Sequence, residues 1–455
     1  MIPSPTAAWN RRRSPFRRGL DSGDDGLILR PCRATMPAIS CDPARARAFA
    51  IDVVERLRRA GHEAVWAGGC VRDELLGRTP ADYDVATSAL PDQVRDVFGR
   101  RRTLAVGAAF GVITVLGPPG AGQVEVATFR SDAGYTDGRH PAGVTFTDAR
   151  EDALRRDFTI NGLFLDPLSG EVHDYVDGRA DLAAGVVRAI GAPTLRFGED
   201  HLRMLRAVRF AAVFGFALEE ETRAAIVRMA HLVTVVSPER IAAELRAMVS
   251  RPGRRRALEL LHETGLAREV LPELVTGGDA AGWREAARVV AALDEPELAA
   301  ALAILTEGLP AGTIDRIAAR LRLSNHEAKT ARWLHEAAAA IGDVAGAASA
   351  RRPWSEVQPW LAHPAAPALA DLLRARAACG RGDAVAALFV TERLALPRAE
   401  LDPPPLLGGA ELLAAGVPAG PLMGRLLAEL RALQLDGRIV SREQALAWVR
   451  GRRRD

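Results

Sequence analysis

The sequence predicts an α+β protein, a small α/β head followed by an all-α remainder. Three observations lead there. Four short apolar or β-branched runs bounded by Gly or Pro fall between about residues 62 and 130. Helical spacing, broken at "PG", "LP" and "HP", dominates from about residue 180 to the end. A chain of 455 residues also exceeds one ordinary core, so two to four domains are expected.

Composition narrows the class. No apolar run approaches the ~20 residues of a membrane span, so no membrane association is expected, and "LAAALAIL" reads as buried helix. Cys32, Cys41, Cys70 and Cys379 are far apart and form no C-x-x-C, which indicates neither a zinc knuckle nor a disulfide framework and suits a reducing cytoplasm. Of 60 lysines and arginines only Lys329 is a lysine. GC-rich codon bias accounts for this more simply than selection for phosphate forks. Residues 1–42 contain the Arg-rich "WNRRRSPFRRG", yet Asp21, Asp24 and Asp25 break the acid-poor pattern of a transit peptide, and Met36 offers another start. They are expected to be a disordered extension.

The head begins at about residue 43. In "ARARAFAIDVVERLRRAG" the spacing of Ile51, Val54 and Leu57 predicts a helix that Gly61 ends. A short apolar strand then runs into Gly68 and Gly69, and "VRDELLG" reads as helix. "ADYDVAT", "GVITVL" and "QVEVATFR" follow as strands. "SDAGYTDGRHPAGVTF" has no apolar period and is expected to be a mobile loop.

The chemistry lies in the turns. On a strand, Asp82 and Asp84 project from one face and can share a hard cation; Mg2+ takes one or two carboxylates and fills its other positions with water and phosphate. Alone, D-x-D is equally a solvated edge strand. Gly68 and Gly69 leave free backbone N–H groups before a helix, where an anion can sit, with Arg72 one turn away. The same residues also fit an ordinary tight turn and a surface charge beside Asp73. Glu125, flanked by Val124 and Val126 on the opposite face, is either an exposed strand residue or a third carboxylate that helps to activate an attacking hydroxyl.

Together, "GGCVRDELLGRTPADYDVATSA" resembles the signature of the tRNA nucleotidyltransferase and bacterial poly(A) polymerase superfamily, class II branch. The likeness continues in order through "RRDFTINGLFLD", similar to the family's ribose-reading motif, and "DYVDGRADL", similar to its hinge motif. "EDHLRMLRAVRFAA" resembles its base-reading helix and "SPERIAAEL" the helix-ordering motif after it, the whole covering roughly residues 50–270. The resemblance implies a nucleotidyltransferase head over 43–182, a helical neck over 183–270, and a tRNA-binding body and tail over 271–455. It further implies Asp82, Asp84 and Glu125 as catalytic groups, Asp82 and Asp84 as metal ligands, and Mg2+ as cofactor. Arg156, Asp157 and Asn161 match positions that contact phosphate and ribose; read alone, a capping Asp and a buried Asn fit equally.

The base-reading helix also makes sense from its side chains. Asp200 and Arg203, three apart, share a helical face. Cytosine and adenine both offer an exocyclic amine beside a ring-nitrogen acceptor, which a carboxylate and a guanidinium match; guanine and uracil place a carbonyl there. Arg206 and Arg209 continue the face toward the head and can clamp a triphosphate. A salt-bridge ladder on a solvated helix has the same spacing. The implied partners are tRNA, CTP and ATP, and the implied activity is CCA addition to the tRNA 3′ end, with an A-adding enzyme or a poly(A) polymerase as alternatives. A poly(A) polymerase carries a basic signature before the glycine step, where this chain reads "AGHEAVWAGGC". His62, His140, His173 and His201 are scattered and suggest no nucleophile–base pair. Toward the C-terminus, "PPPLLGGAELLAAGVPAGPLMGRLLAEL" resembles the family's last segment or a plain helix–turn–helix, and "VRGRRRD" is a basic tail or a solvated terminus.

Overall fold

A computed structural model describes residues 42–135, 141–275, 280–342 and 352–452. Residues 1–41, most of the expected extension, lie outside the described residues. Asp42 is the N-cap of helix α1 (Pro43–Arg59), its carboxylate accepting from Ala44 N at 2.9 Å. Pro43 occupies the first turn, where its missing N–H costs nothing. The helix buries Phe49, Ala50, Val53, Val54 and Leu57, an i, i+4, i+8 stripe.

In chain order the head continues as β1 (Ala64–Ala67), α2 (Gly69–Leu75), β2 (Asp84–Thr87), α3 (Pro91–Phe98), β3 (Thr103–Gly107), β4 (Val112–Leu116) and β5 (Gln123–Thr128). Then come β6 (Arg130–Tyr135), β7 (Pro141–Phe146), α4 (Ala149–Leu154), β8 (Leu163–Leu165) and β9 (Val172–Asp174). Seven strands form one mixed sheet in the order β3-β4-β5-β2-β1-β8-β9, with β2 and β5 parallel. One face buries Trp66, Val85, Ile113 and Val126 with α1; the other buries Val65, Ala67, Ala86, Phe129 and Phe164 with Ala153 of α4. Period-two alternation puts Asp84 on the second face, with Ala86.

Three expectations need correction. "ADYDVAT" is a strand only from Asp84, and Asp82 lies in the bend before it. The buried Tyr83 between them still alternates inward, so the two carboxylates remain neighbours. "SDAGYTDGRHPAGVTF" is an antiparallel ribbon rather than a loop, pairing Arg130 with Phe146 and Tyr135 with Pro141 outside the main sheet. Ladder hydrogen bonds alone can align such a ribbon, so no apolar period announces it. Residues 136–140 at its tip lie outside the described residues.

The third correction concerns the neck, which runs through α5 (Gly178–Ala184), α6 (Pro193–Glu199), α7 (Leu202–Phe214), α8 (Glu220–Met229) and α9 (Pro238–Val249). "EDHLRMLRAVRF" is not one helix. Asp200 is extended (φ −146°, ψ 107°), ends α6, and accepts from the N–H of Leu202, the first residue of α7, at 3.0 Å. An Asp that bonds its own downstream backbone competes with the helix, which is why the break falls there.

Beyond Val249 the described elements are helical. Most pack into the core that runs on from the head and neck, but Leu407, Leu412, Leu426, Leu430, Ile439 and Val449 form a separate small core in the last fifty or so residues. No described helix is long and apolar enough to cross a membrane.

Candidate active site

The glycine step is built for close approach. Gly68 sits at φ 73°, a conformation open chiefly to glycine, and a Cβ there would lie 2.7 Å from Arg156 Nη1. Arg156 therefore lies directly over the turn between β1 and α2. It is held by Asp152, which accepts from Arg156 Nη2 at 2.9 Å and from Arg155 Nη2 at 2.7 Å. Burial pushes the Asp152 carboxyl up, but the two guanidinium groups more than offset this and hold it below the usual carboxylate range.

Asp84 and Glu125 are register partners on the parallel strands β2 and β5. Glu125 is exposed while Val124 and Val126 are buried, as the alternation predicts. Burial, then Asp82 and Glu125, push the Asp84 carboxyl up to about 6, against a weaker pull from Arg156. Asp82, Asp84 and Glu125 therefore lie near one another at one end of the sheet, close enough for the outer two to raise the carboxyl between them. Among the described residues no group of three or more His, Cys, Asp or Glu is arranged to hold a metal unaided.

A chain of contacts leads from the glycine step into the neck. Arg72, almost fully buried rather than a surface charge, donates from Nη1 to Asn161 Oδ1 at 2.6 Å and stacks over Phe214 of α7 at 4.3 Å. Asn161 Nδ2 donates to Asp157 Oδ1 at 3.0 Å, and Arg206 Nη2 lies 2.7 Å from Asp157 Oδ2. Burial raises the Asp157 carboxyl, but Arg206 and Asn161 pull it down to about 2. Gly68, Arg156, Arg72, Asn161, Asp157 and Arg206 are thus brought together, and Gly69 opens α2 beside them.

The outer pairings differ from the sequence reading. Asp200 and Arg203 are not on one continuous helix, and each has another ionic partner. Arg240 of α9 donates to both oxygens of Asp200, while Arg203 bonds Glu199 and the carbonyl oxygens of Arg196 and Arg155. Arg209 does not point toward the head: it is buried against Glu244 of α9, Nε to Oε2 at 2.6 Å. Asp152 could have been found, since its i+3 and i+4 spacing to Arg155 and Arg156 is in the sequence. Glu244 and Arg240 carry no local signal, because their partners lie 35 and 40 residues away.

Residues 64–188 match the family model described as the poly A polymerase head domain, and residues 215–276 the one described as a probable RNA and SrmB-binding site of polymerase A. The chain is 43% identical over 221 residues to a CCA-adding enzyme of Lactobacillus delbrueckii subsp. bulgaricus, covering 48% of this chain and 54% of that one. It is 41% identical over 252 residues to a CCA-adding enzyme of Geobacillus stearothermophilus, covering 55% and 59%. The aligned part thus spans a little over half the length of these curated relatives. The fold superposes on the Bacillus stearothermophilus CCA-adding enzyme in complex with CTP, with a TM-score of 0.71 at 29% identity, over 90% of this chain and 98% of that one. The fold is also that of the Thermotoga maritima CCA-adding enzyme complexed with tRNA-CCA, with a TM-score of 0.63 at 19% identity, over 90% and 98%. The head and the segment that follows it are thus similar to those of poly(A) polymerases, and the fold over nine tenths of the chain is similar to that of CCA-adding enzymes.

Proposed function

We propose that the protein builds the CCA end of tRNA from CTP and ATP, without a template, by metal-dependent nucleotidyl transfer that releases pyrophosphate. The observation that carries this is the run of hydrogen bonds joining Arg156, Asn161, Arg72, Asp157 and Arg206 of α7, with Arg156 near enough to Asp84 on β2 to pull on its carboxyl. It supports a triphosphate site beside α7, the helix that starts next to Asp200 and carries Arg203. The similarity to CCA-adding enzymes, one of them in complex with CTP, supports the choice of substrates.

On this reading Asp82 and Asp84 hold a divalent cation, and all-oxygen donors favour Mg2+. When bound, it neutralises charge on the phosphates. Glu125 draws the proton of the RNA 3′-hydroxyl, which attacks the α-phosphate in line. The backbone N–H of Gly69, with Arg72 and Arg156, faces the phosphates; that of Gly68, expected free from the sequence, instead donates to Leu163 O at 3.0 Å. Asp157 and Asn161 hold the ribose end and lock Arg206 in place. Asp200 accepts from the exocyclic amine of C or A and Arg203 donates to the ring nitrogen. Arg209 acts at one remove, bracing α7 against α9. Head, neck, and helical body with tail divide at about residues 182 and 270, and the cytoplasm is the proposed compartment.

The test is incorporation into tRNA lacking its 3′ end, with labelled CTP or ATP alone and then together. Labelled A entering only once CTP is supplied supports CCA addition. A joined only to tRNA that already ends in CC indicates an A-adding enzyme, and long A runs placed directly on the shortened tRNA indicate a poly(A) polymerase.

A further inference from the structure

We propose that the turn Arg100–Arg102 is a contact surface for the phosphates of the RNA strand whose 3′ end is being extended. The inference rests on the reading of the site given above and adds the direction from which RNA arrives.

Sheet register places the turn. Leu104, Thr114, Glu125 and Asp84 form one row across β3, β4, β5 and β2. Arg100–Arg102 immediately precede β3, the edge strand, so they project at the end of the sheet that carries Glu125 and Asp84. Two strand spacings of about 4.8 Å put Leu104, the row's position on β3, roughly 10 Å from Glu125, and Arg102 is two residues before it.

Reaction geometry then picks the side. The glycine step, Arg72 and Arg156 lie toward β1 and β8, where the triphosphate and its departing pyrophosphate belong. In-line displacement requires the attacking oxygen to enter opposite the leaving group. The RNA end therefore crosses β5 from the direction of β3. At about 3.4 Å of rise per phosphate, 10 Å spans roughly the last three nucleotides.

Charge separates this turn from the other arginines near the cleft. Arg72, Arg155, Arg156, Arg203, Arg206 and Arg209 each pair with a carboxylate. The three guanidinium groups of the turn are exposed and meet no carboxylate among the described residues. In a 3₁₀ turn successive side chains point about 120° apart, so they fan around the strand end rather than stack on one face. Three unneutralised like charges in one turn repel each other, and a polyanion relieves that repulsion.

The experiment compares the full chain with R100Q/R101Q/R102Q, using filter binding of tRNA lacking its 3′ end across a series of KCl concentrations. The variant is expected to bind roughly tenfold more weakly near 0.15 M salt. The slope of log affinity against log salt should fall by about 1 to 2, since each lost phosphate contact removes about 0.7–0.9. The R100K/R101K/R102K variant should restore most of both, and CTP binding should stay unchanged. Equal affinity and slope in the glutamine variant and the unaltered chain overturn the inference. Nucleotide incorporation by the unaltered chain, run in parallel, judges the site separately. Incorporation without an affinity loss in the variant removes only the arginine turn, while an affinity loss without incorporation removes only the polymerising role.

Discussion

Arg240 donates to Asp200 through two parallel bonds, Nη1 to Oδ1 at 3.2 Å and Nη2 to Oδ2 at 2.7 Å, so a carboxylate lying between α6 and α7 is fixed from α9. A two-point bond fixes the plane of the carboxylate, which a single contact would leave free to turn. If Asp200 reads the base edge, Arg240→Met should reduce the preference for C and A over U and G about tenfold, or ~1.4 kcal/mol. Arg240→Lys, which keeps the charge but not the fork, should fall between. Single-nucleotide incorporation with each of the four triphosphates measures this, and an unchanged preference would remove Arg240 from base selection.

Asp200→Ala goes further. It is expected to relax base choice by more than tenfold while tRNA affinity shifts less than about twofold, because the side chain touches neck residues and not the proposed RNA path. Identical ratios among the four nucleotides would refute the assignment.

The raised Asp84 carboxyl predicts a pH limit on metal binding. Without metal the group takes up a proton as pH falls through about 6, and a protonated carboxyl does not bind a divalent ion. Mn2+ affinity, read by electron paramagnetic resonance on the full chain, should be level above pH 7. It should drop up to tenfold per pH unit below 6. Asp84→Asn should weaken binding at every pH and flatten the profile; a steep profile in the variant would place the titrating group elsewhere.

Asp157 runs the opposite way. Its folded-state carboxyl is depressed to about 2, so its stabilising effect is complete above the unfolded value near 4 and lost as pH falls toward 2. The shift corresponds to about 2 kcal/mol. Asp157→Asn should lower Tm at pH 7, with the gap from the unaltered chain closing between pH 4 and 2. Arg206→Ala should cost more, roughly 3–5 kcal/mol, because it leaves a buried carboxylate unpaired. A constant gap across that range would mean that Asp157 is stabilised by packing rather than by charge.

Gly68→Ala should reduce activity far more than stability. A methyl group 2.7 Å from Arg156 Nη1 must displace the guanidinium, and the positive φ adds strain of about 1–2 kcal/mol. Incorporation is expected to fall about a hundredfold with Tm lowered by only a few degrees. Full activity in this variant would show that Arg156 is free to move aside.

What the sequence made legible was what a local period can encode. Period two put Glu125 outward between Val124 and Val126, and Gly68 and Gly69 marked the turn from strand into α2. The break at Asp200 was hidden because Leu202 and Leu205 continue a helical stripe, and a single carboxylate decided against it. The ribbon formed by Arg130–Tyr135 and Pro141–Phe146 was hidden because its order comes from backbone pairing, and its sequence has no apolar period. Pairings such as Arg72 with Asn161, 89 residues apart, follow from the fold and leave no trace in spacing. The same holds for Arg209, whose spacing to Arg206 suggested a shared target although the two bond partners on different elements.

The small apolar kernel formed by Leu407, Leu412, Leu426, Leu430 and Val449 joins the larger core through polar links, among them Gln358 to Asp402 and Ser355 to Asp436. A cluster so attached can open while the remainder stays folded. A single cooperative melt would then misdescribe the chain: calorimetry should resolve a minor early transition, and hydrogen exchange should be fastest in the terminal helices.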